Sequence, residues 1–257
     1  MDNEIVTNGI IVKLADIGES DRMMTILTPE LGKISVIGKG VKNIKSHRLY
    51  TSQLFCYSEF TLSKKKDIFY LKEAILIEDF YSLREDLSSL YLALYLTDVV
   101  STVTITGEDQ GEILRLLLNC LYLLANKKRS PHIIKAVFEL RLACLLGFMP
   151  DLSECSCCHA NNGIFWFNMP DGIIVCDNCR KSEKINFEGA HPHKLDSNLL
   201  KTMRYICEAS EKKIFSFDIS EETETNLSAV CEKYLLTHLD RGFDSLDFYK
   251  KAEIMYK

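Results

Sequence analysis

Apolar positions along this chain keep one period up to residue 79 and another beyond it. In the first part, short runs rich in Ile, Val, Phe and Tyr occupy residues 5–14, 23–28, 34–37, 54–62 and 68–77. The fourth run alternates: Leu54, Cys56, Ser58, Phe60 and Leu62 fall on one side of a pleat, Phe55, Tyr57, Glu59 and Thr61 on the other. Turn-forming clusters at 16–21, 29–32 and 63–67 separate the runs. This pattern predicts five short strands. Five strands in so short a span make a small barrel, of OB-fold size, whose open face and loops bind oligonucleotides. An SH3-like barrel fits the same pattern.

After Asp79 the spacing becomes helical. Leu83, Leu87, Leu90, Leu94 and Thr97 lie on one face, as do Ile113, Leu116, Leu117, Cys120, Leu121 and Leu124. A third helix is predicted from Pro131, a favoured first-turn residue, to Gly147, a favoured stop. Helical spacing returns at 195–209 and 221–239, before a short apolar tail at 246–249. The predicted fold class is α+β: a five-stranded OB-fold domain over 1–79, then a helical domain over 80–257 with a cysteine module at about 150–182.

A hydrophobic fraction of 47% against 26% charged residues is ordinary globular composition and excludes a disordered chain. The first residues, Met1-Asp2-Asn3-Glu4, have no basic, apolar leader character. The most apolar stretches fall short of the ~20 residues that cross a bilayer. A soluble, cytoplasmic protein is expected, with no membrane contact. Ten cysteines in such a chain point to metal or free thiols.

Four of them form two Cys-x-x-Cys pairs, Cys155/Cys158 and Cys176/Cys179, with 17 residues between the pairs. Two intervening residues let both thiolates of a tight turn face one ion, and two such turns complete a tetrahedron, so the expected cofactor is structural zinc. Gly163 and Asp171-Gly172 can turn a hairpin between the pairs, and Ile164, Phe165, Trp166 and Phe167 can cover the site. Cys157 and His159 stand beside the first pair, but four thiolates already fill the shell and leave no open catalytic position. Cys56, Cys120, Cys144, Cys207 and Cys231 are scattered on apolar faces and are expected to be small core residues.

The net charge of −5 hides an asymmetry. Between Gly32 and Lys66, eight basic residues (Lys33, Lys39, Lys42, Lys45, Arg48, Lys64, Lys65 and Lys66) face one acidic residue, Glu59, for a local +7. Lys39, Lys42, Lys45 and Arg48 recur every third position, which on a helix would give a cationic stripe. With Phe55, Tyr57, Phe60, Phe69 and Tyr70 nearby, these are the ingredients of single-strand binding, in which lysines follow phosphates and rings stack on bases. For each aromatic, a place inside the barrel is the competing reading.

No catalytic set emerges, and an enzyme is not expected. The stretch from Gly32 to Gly40 has the wrong spacing for a Walker A loop, and His191-x-His193 lacks a partnering carboxylate. No Gly-x-Ser-x-Gly or His-Glu-x-x-His is present, and no His/Glu pattern accompanies the cysteines as a zinc deaminase requires.

The order of short motifs resembles the RecO family of bacterial DNA-repair and recombination-mediator proteins over essentially the whole chain. The resemblance rests on Gly9-Ile10-Ile11-Val12, Gly18 to Arg22, Thr28-x-x-x-Gly32-Lys33, Lys39 to Lys42, Phe138 to Leu142, Leu145 to Pro150, the four cysteines with Gly172, and the stretch from Tyr234 to Phe248. It implies an N-terminal OB-fold, a helical C-terminal domain with a zinc module, and a mediator that binds and anneals single-stranded DNA. It also implies help in loading recombinase onto DNA coated by single-strand-binding protein, with RecR and the acidic C-terminal tail of that protein as partners. A pure adaptor that recruits those partners with little DNA affinity is the alternative, favoured by the acidic total. Basic residues in and before the third helix, Lys127, Lys128, Arg129, Lys135 and Arg141, are candidates to receive an acidic tail, Lys135 and Arg141 foremost.

Overall fold

In the computed structural model, which describes residues 3–66, 68–182 and 192–255, the five expected strands are present. They are β1 (Asn3–Ile17), β2 (Asp21–Leu27), β3 (Lys33–Gly38), β4 (Tyr57–Lys65) and β5 (Ile68–Glu78). They close a barrel in the order β1-β2-β3-β5-β4, with β1 also bonded to β4. All neighbours are antiparallel except β3 and β5, which run parallel through Val36–Phe69 and Ile37–Tyr70. Of the two barrels the pattern allowed, this is the OB-fold.

Strand β1 serves two neighbours and changes from β4 to β2 at Ile10. Gly9 makes the change possible. A Cβ there would lie 2.7 Å from Ile26 Cγ2 and 2.8 Å from the Leu27 carbonyl oxygen, so only glycine lets the two strands approach. A register shift between Ile11 and Lys13 bends β1 just beyond. Alternate residues of the five strands then fill the interior, among them Ile11, Met24, Ile26, Val36, Phe60 and Phe69. Phe60 and Phe69 therefore take the interior reading, and Phe55, in the connection just before β4, is buried as well.

The connection from β3 to β4 contains one turn of helix, α1 (Arg48–Thr51). Past β5, a 3₁₀ turn at Tyr81–Arg84 leads into α2 (Leu87–Val103), whose N-cap Asp86 accepts the Ser89 N–H at 2.9 Å. Helix α3 (Gly111–Ala125) follows.

The chain divides into two compact units, residues 1–128 with 243–257, and residues 129–242. The expected domain boundary at 79/80 marks the change from strand to helix, whereas α2 and α3 group with the barrel, as does the end of the chain. The expected apolar tail at 246–249 lies in a C-terminal helix, Asp244–Met255. That helix packs on α2, stacking Phe248 on Tyr91 at 6.2 Å, and the Ser245 hydroxyl donates to Asp98 at 2.7 Å.

The second unit opens with α4 (Pro131–Leu145), capped by Ser130, which accepts the Ile133 N–H at 3.2 Å. Gly147 ends it with φ +90°, and the Phe148 N–H reaches back to the Ala143 carbonyl at 2.9 Å, a Schellman closure. A three-stranded sheet follows, with β6 (Phe165–Asn168) between β7 (Ile173–Cys176) and β8 (His193–Leu195). Helices α5 (Asp177–Lys181), α6 (Ser197–Glu208) and α7 (Glu221–Leu239) complete the unit, with α6 and α7 packed against α4. No helix among the described residues is long and apolar enough to cross a membrane.

Candidate metal centre and nucleic-acid interface

The sulfurs of Cys155, Cys158, Cys176 and Cys179 all lie within 4.8 Å of one another. A tetrahedral metal with bonds of about 2.3 Å to sulfur spaces its ligands about 3.8 Å apart, and Cys158 and Cys176 stand at 3.6 Å. The expected hairpin holds the pairs together: β6 and β7 place Phe165 opposite Cys176, and Gly172 turns between them with φ +64°. Cys176 also caps α5, its sulfur accepting the Cys179 N–H at 3.5 Å. Cys155, Cys176 and Cys179 are buried, and Cys158 is exposed. Neither Cys157 nor His159 joins the cluster; His159 pairs with Glu154 at 2.5 Å.

The electrostatics favour a cation. Burial raises the Cys155 thiol, but N–H groups of Cys176, Cys157 and Cys158 more than offset it and bring the group down to about 6. The Cys179 thiol is pushed up by its hydrogen bond with Cys158, then by burial. Four sulfurs this close share few negative charges until a metal ion supplies the counter-charge. Around them, the Trp166 indole N–H donates to Asp177 at 3.1 Å and the Arg180 guanidinium lies 3.6 Å from the Trp166 ring centre. His191 lies outside the described residues; His193 sits on β8 and is not a member of the four-thiol set.

The eight basic residues between Gly32 and Lys66 differ in their surroundings. Lys33 donates to the Ser101 carbonyl at 2.6 Å. Lys42 pairs with Asp16 at 2.9 Å, beside Arg22 at 3.0 Å, and these contacts hold the Asp16 carboxyl below its usual range, Lys42 first. Arg48 donates to the carbonyls of Leu71 and Lys39, both at 3.1 Å. These three cations fasten the barrel. Lys39, Lys45, Lys64, Lys65 and Lys66 are exposed, Lys39 with its ammonium 5.5 Å from the Tyr70 ring centre and Lys64 with its own 5.4 Å from that of Phe69.

The expected helical stripe of Lys39, Lys42, Lys45 and Arg48 does not form. Turns and bends occupy 39–45, because Val41 is drawn into the core and the Gly40 N–H is held by Asp21 at 2.8 Å. What the strands offer instead is a row that runs across their outward side. Register sets Ala15 beside Met23, Met23 beside Ile37, and Ile37 beside Tyr70, while Met24, Val36 and Phe69 point inward. Met23, Ile37 and Tyr70 are half-buried. Sequence reasoning singled out Tyr70 but missed Met23 and Ile37, whose adjacency depends on a β3–β5 pairing that no local pattern announces. It also missed Ile44 and Tyr50, 92% and 75% exposed in the β3–β4 connection.

In the second unit, Lys135 is 2% exposed and paired with Glu139 at 3.0 Å and Glu232 at 2.8 Å. Its charge is matched inside the helices, so it presents nothing to an outside acidic tail. Arg141 is half-buried and donates to the Cys207 carbonyl at 2.5 Å. Of the neighbouring basic residues, Arg129 pairs with Asp218 at 2.9 Å and Lys128 donates to the Tyr122 hydroxyl at 2.8 Å.

Residues 1–80 match the family described as Recombination protein O N terminal, and residues 84–247 that described as Recombination protein O C terminal. The chain is 35% identical to the DNA repair protein RecO of Acetivibrio thermocellus over 253 residues, covering 98% of each chain. It is 30% identical to that of Alkaliphilus metalliredigens, over 96% of this chain and 99% of the relative. With the Bacillus pumilus protein of the same name it shares 27%, over 98% and 96%. With both family domains matched in order along the chain, this chain belongs to the RecO family.

Proposed function

We propose that this chain is a non-enzymatic mediator of DNA repair and recombination that binds and anneals single-stranded DNA. It then helps load recombinase onto DNA coated by single-strand-binding protein. The observation that carries this reading is the group of exposed lysines, Lys39, Lys45, Lys64, Lys65 and Lys66, of which Lys39 borders the outward row ending at Tyr70. Lysines would follow the phosphates, and the half-buried Tyr70 offers a ring face to an unpaired base. Lys33, Lys42 and Arg48 serve the same surface by holding its scaffold.

The metal we propose is zinc, held by Cys155, Cys158, Cys176 and Cys179. All-sulfur ligation suits it, and with four thiolates it supplies cross-linking and no reactive water. The proposed partners are RecR and the acidic tail of single-strand-binding protein. Arg141 remains the sequence-derived candidate for that tail, since Lys135 is internally paired. Work at the cytoplasmic nucleoid follows from the task.

A second reading, an adaptor with little DNA affinity of its own, draws on the net charge of −5 and on the three cations spent internally. Fluorescence anisotropy with a labelled single-stranded oligonucleotide and a matched duplex, across a salt series, separates the two. Preferential single-strand binding that weakens steeply with salt, and is lost on reversing charge at Lys39 and Lys45, supports the mediator. Absence of binding at low salt supports the adaptor.

A further inference from the structure

Cys144, near the end of α4, and Cys207, near the end of α6, bring their sulfurs to 3.8 Å across 63 residues of sequence. Neither belongs to the four-thiol cluster. Arg141, one helical turn before Cys144, reaches across to the Cys207 carbonyl and ties the two helix ends together. Cys207 is 6% exposed and borders a pocket of about 390 Å³ lined also by Met149, Leu152, Arg204 and Glu208. Cys144 is half-buried, so a small oxidant has a route to the pair.

The two thiols are unequal. A hydrogen bond with Cys207 lowers the Cys144 thiol below its ordinary value, against burial and with help from the Arg141 charge. The same contact, followed by burial, pushes Cys207 up. Cys144, half-buried and one turn from the Arg141 guanidinium, is the sulfur a small oxidant reaches first, and Cys207 is placed to resolve what forms on it. Cys231, on the neighbouring α7, is fully enclosed and raised by burial.

We propose that Cys144 and Cys207 are a modification site, closed to a reversible disulfide by hydrogen peroxide or an organic hydroperoxide. The Cys144 thiolate attacks the peroxide oxygen, the O–O bond breaks, and with one proton the leaving oxygen departs as water or alcohol. Cys207 then attacks the resulting sulfenic sulfur, the S–O bond breaks, and its thiol proton leaves with hydroxide as water. Two thiols lose two electrons in all, and the peroxide gains them. The sulfurs must close from 3.8 Å to about 2.0 Å.

The loop so closed contains all four cluster cysteines. Its consequence is protective: the ends of the metal module stay joined when oxidation or chelation strips the metal from Cys155, Cys158, Cys176 and Cys179.

Peptide mapping of the full chain tests the bond. Protein titrated with hydrogen peroxide is alkylated and digested with trypsin and Asp-N without reductant. Cleavage after Arg141 and before Asp151 isolates Cys144 in residues 142–150, and cleavage after Arg204 and Lys212 isolates Cys207 in 205–212. The expected product is these two peptides joined, lighter by two hydrogen atoms than their sum. It should appear at peroxide doses that leave the cluster cysteines intact, and vanish with dithiothreitol. Recovery of both peptides alkylated while other cysteines oxidise, or linkage of Cys144 to Cys231, overturns the proposal. Melting tests the consequence: after chelation, peroxide-treated protein should melt about 5–10 °C above reduced protein, and the difference should be absent from C144S. Equal melting temperatures overturn the protective role.

Discussion

Arg48 donates from Nη2 to the main-chain carbonyl of Lys39 at 3.1 Å. Its Nη1 bonds the Leu71 carbonyl at the same distance, so one guanidinium joins the start of the β3–β4 connection to β5. Arg48 is therefore a scaffold residue within a segment that reads as a cationic stripe, and it sets the position from which Lys39 overlies Tyr70.

Replacing Arg48 by Ala should lower stability by about 1.5–3 kcal/mol, the scale of hydrogen bonds to a charged group, and weaken DNA binding with it. Lys45→Ala should weaken binding with no change in urea midpoint. Equal midpoints for the two variants would contradict this division.

Asp16 is the counter-charge to Lys42 and Arg22. Asp16→Asn should release both cations, tighten single-strand binding and steepen its salt dependence, each added phosphate contact changing the logarithmic slope by about 0.7. Because those contacts depress the Asp16 pKa, their contribution is present above the ordinary carboxylate range and is lost as pH falls through the depressed value. Anisotropy of D16N and of wild type across pH and salt checks both statements.

The four-thiol cluster should bind about one zinc per chain, measured by elemental analysis, and Cys155→Ser should lower that content by at least tenfold. Chelation should abolish hydrogen-exchange protection over β6 and β7 while leaving the barrel strands protected. Loss of protection in the barrel as well would contradict a local role for the metal.

Lys135 sits 2% exposed between Glu139, which is fully buried, and Glu232. Lys135→Met should cost about 3–5 kcal/mol in urea denaturation, since it strands a buried carboxylate. Lys135→Met with Glu139→Leu should recover most of the loss. Burial lowers the Lys135 pKa, but its two carboxylate partners outweigh that and leave it raised. The stabilisation is thus complete below the ordinary lysine value and is lost as pH rises through the raised one. A K135M variant as stable as wild type would refute the buried pairing.

Signals confined to a few neighbouring residues were legible in the sequence. Short apolar runs marked the strands, Pro131 and Gly147 the ends of α4, and Cys-x-x-Cys spacing the metal centre, because a strand, a helix end and a two-ligand turn each depend on residues close along the chain. Charge content was equally plain, but the partner of each charge was not. The sequence by itself determined that this chain has a small barrel, a helical part and a four-thiol site. Tertiary structure alone decided that Arg48, Lys42 and Lys33 are internally bonded, that Lys135 is buried, and that Met23, Ile37 and Tyr70 form one row. It also decided that the last helix packs on α2, and that Cys144 meets Cys207. Each of these joins residues far apart in the chain, and such contacts are selected by the shape and burial of the whole packed unit rather than by local spacing.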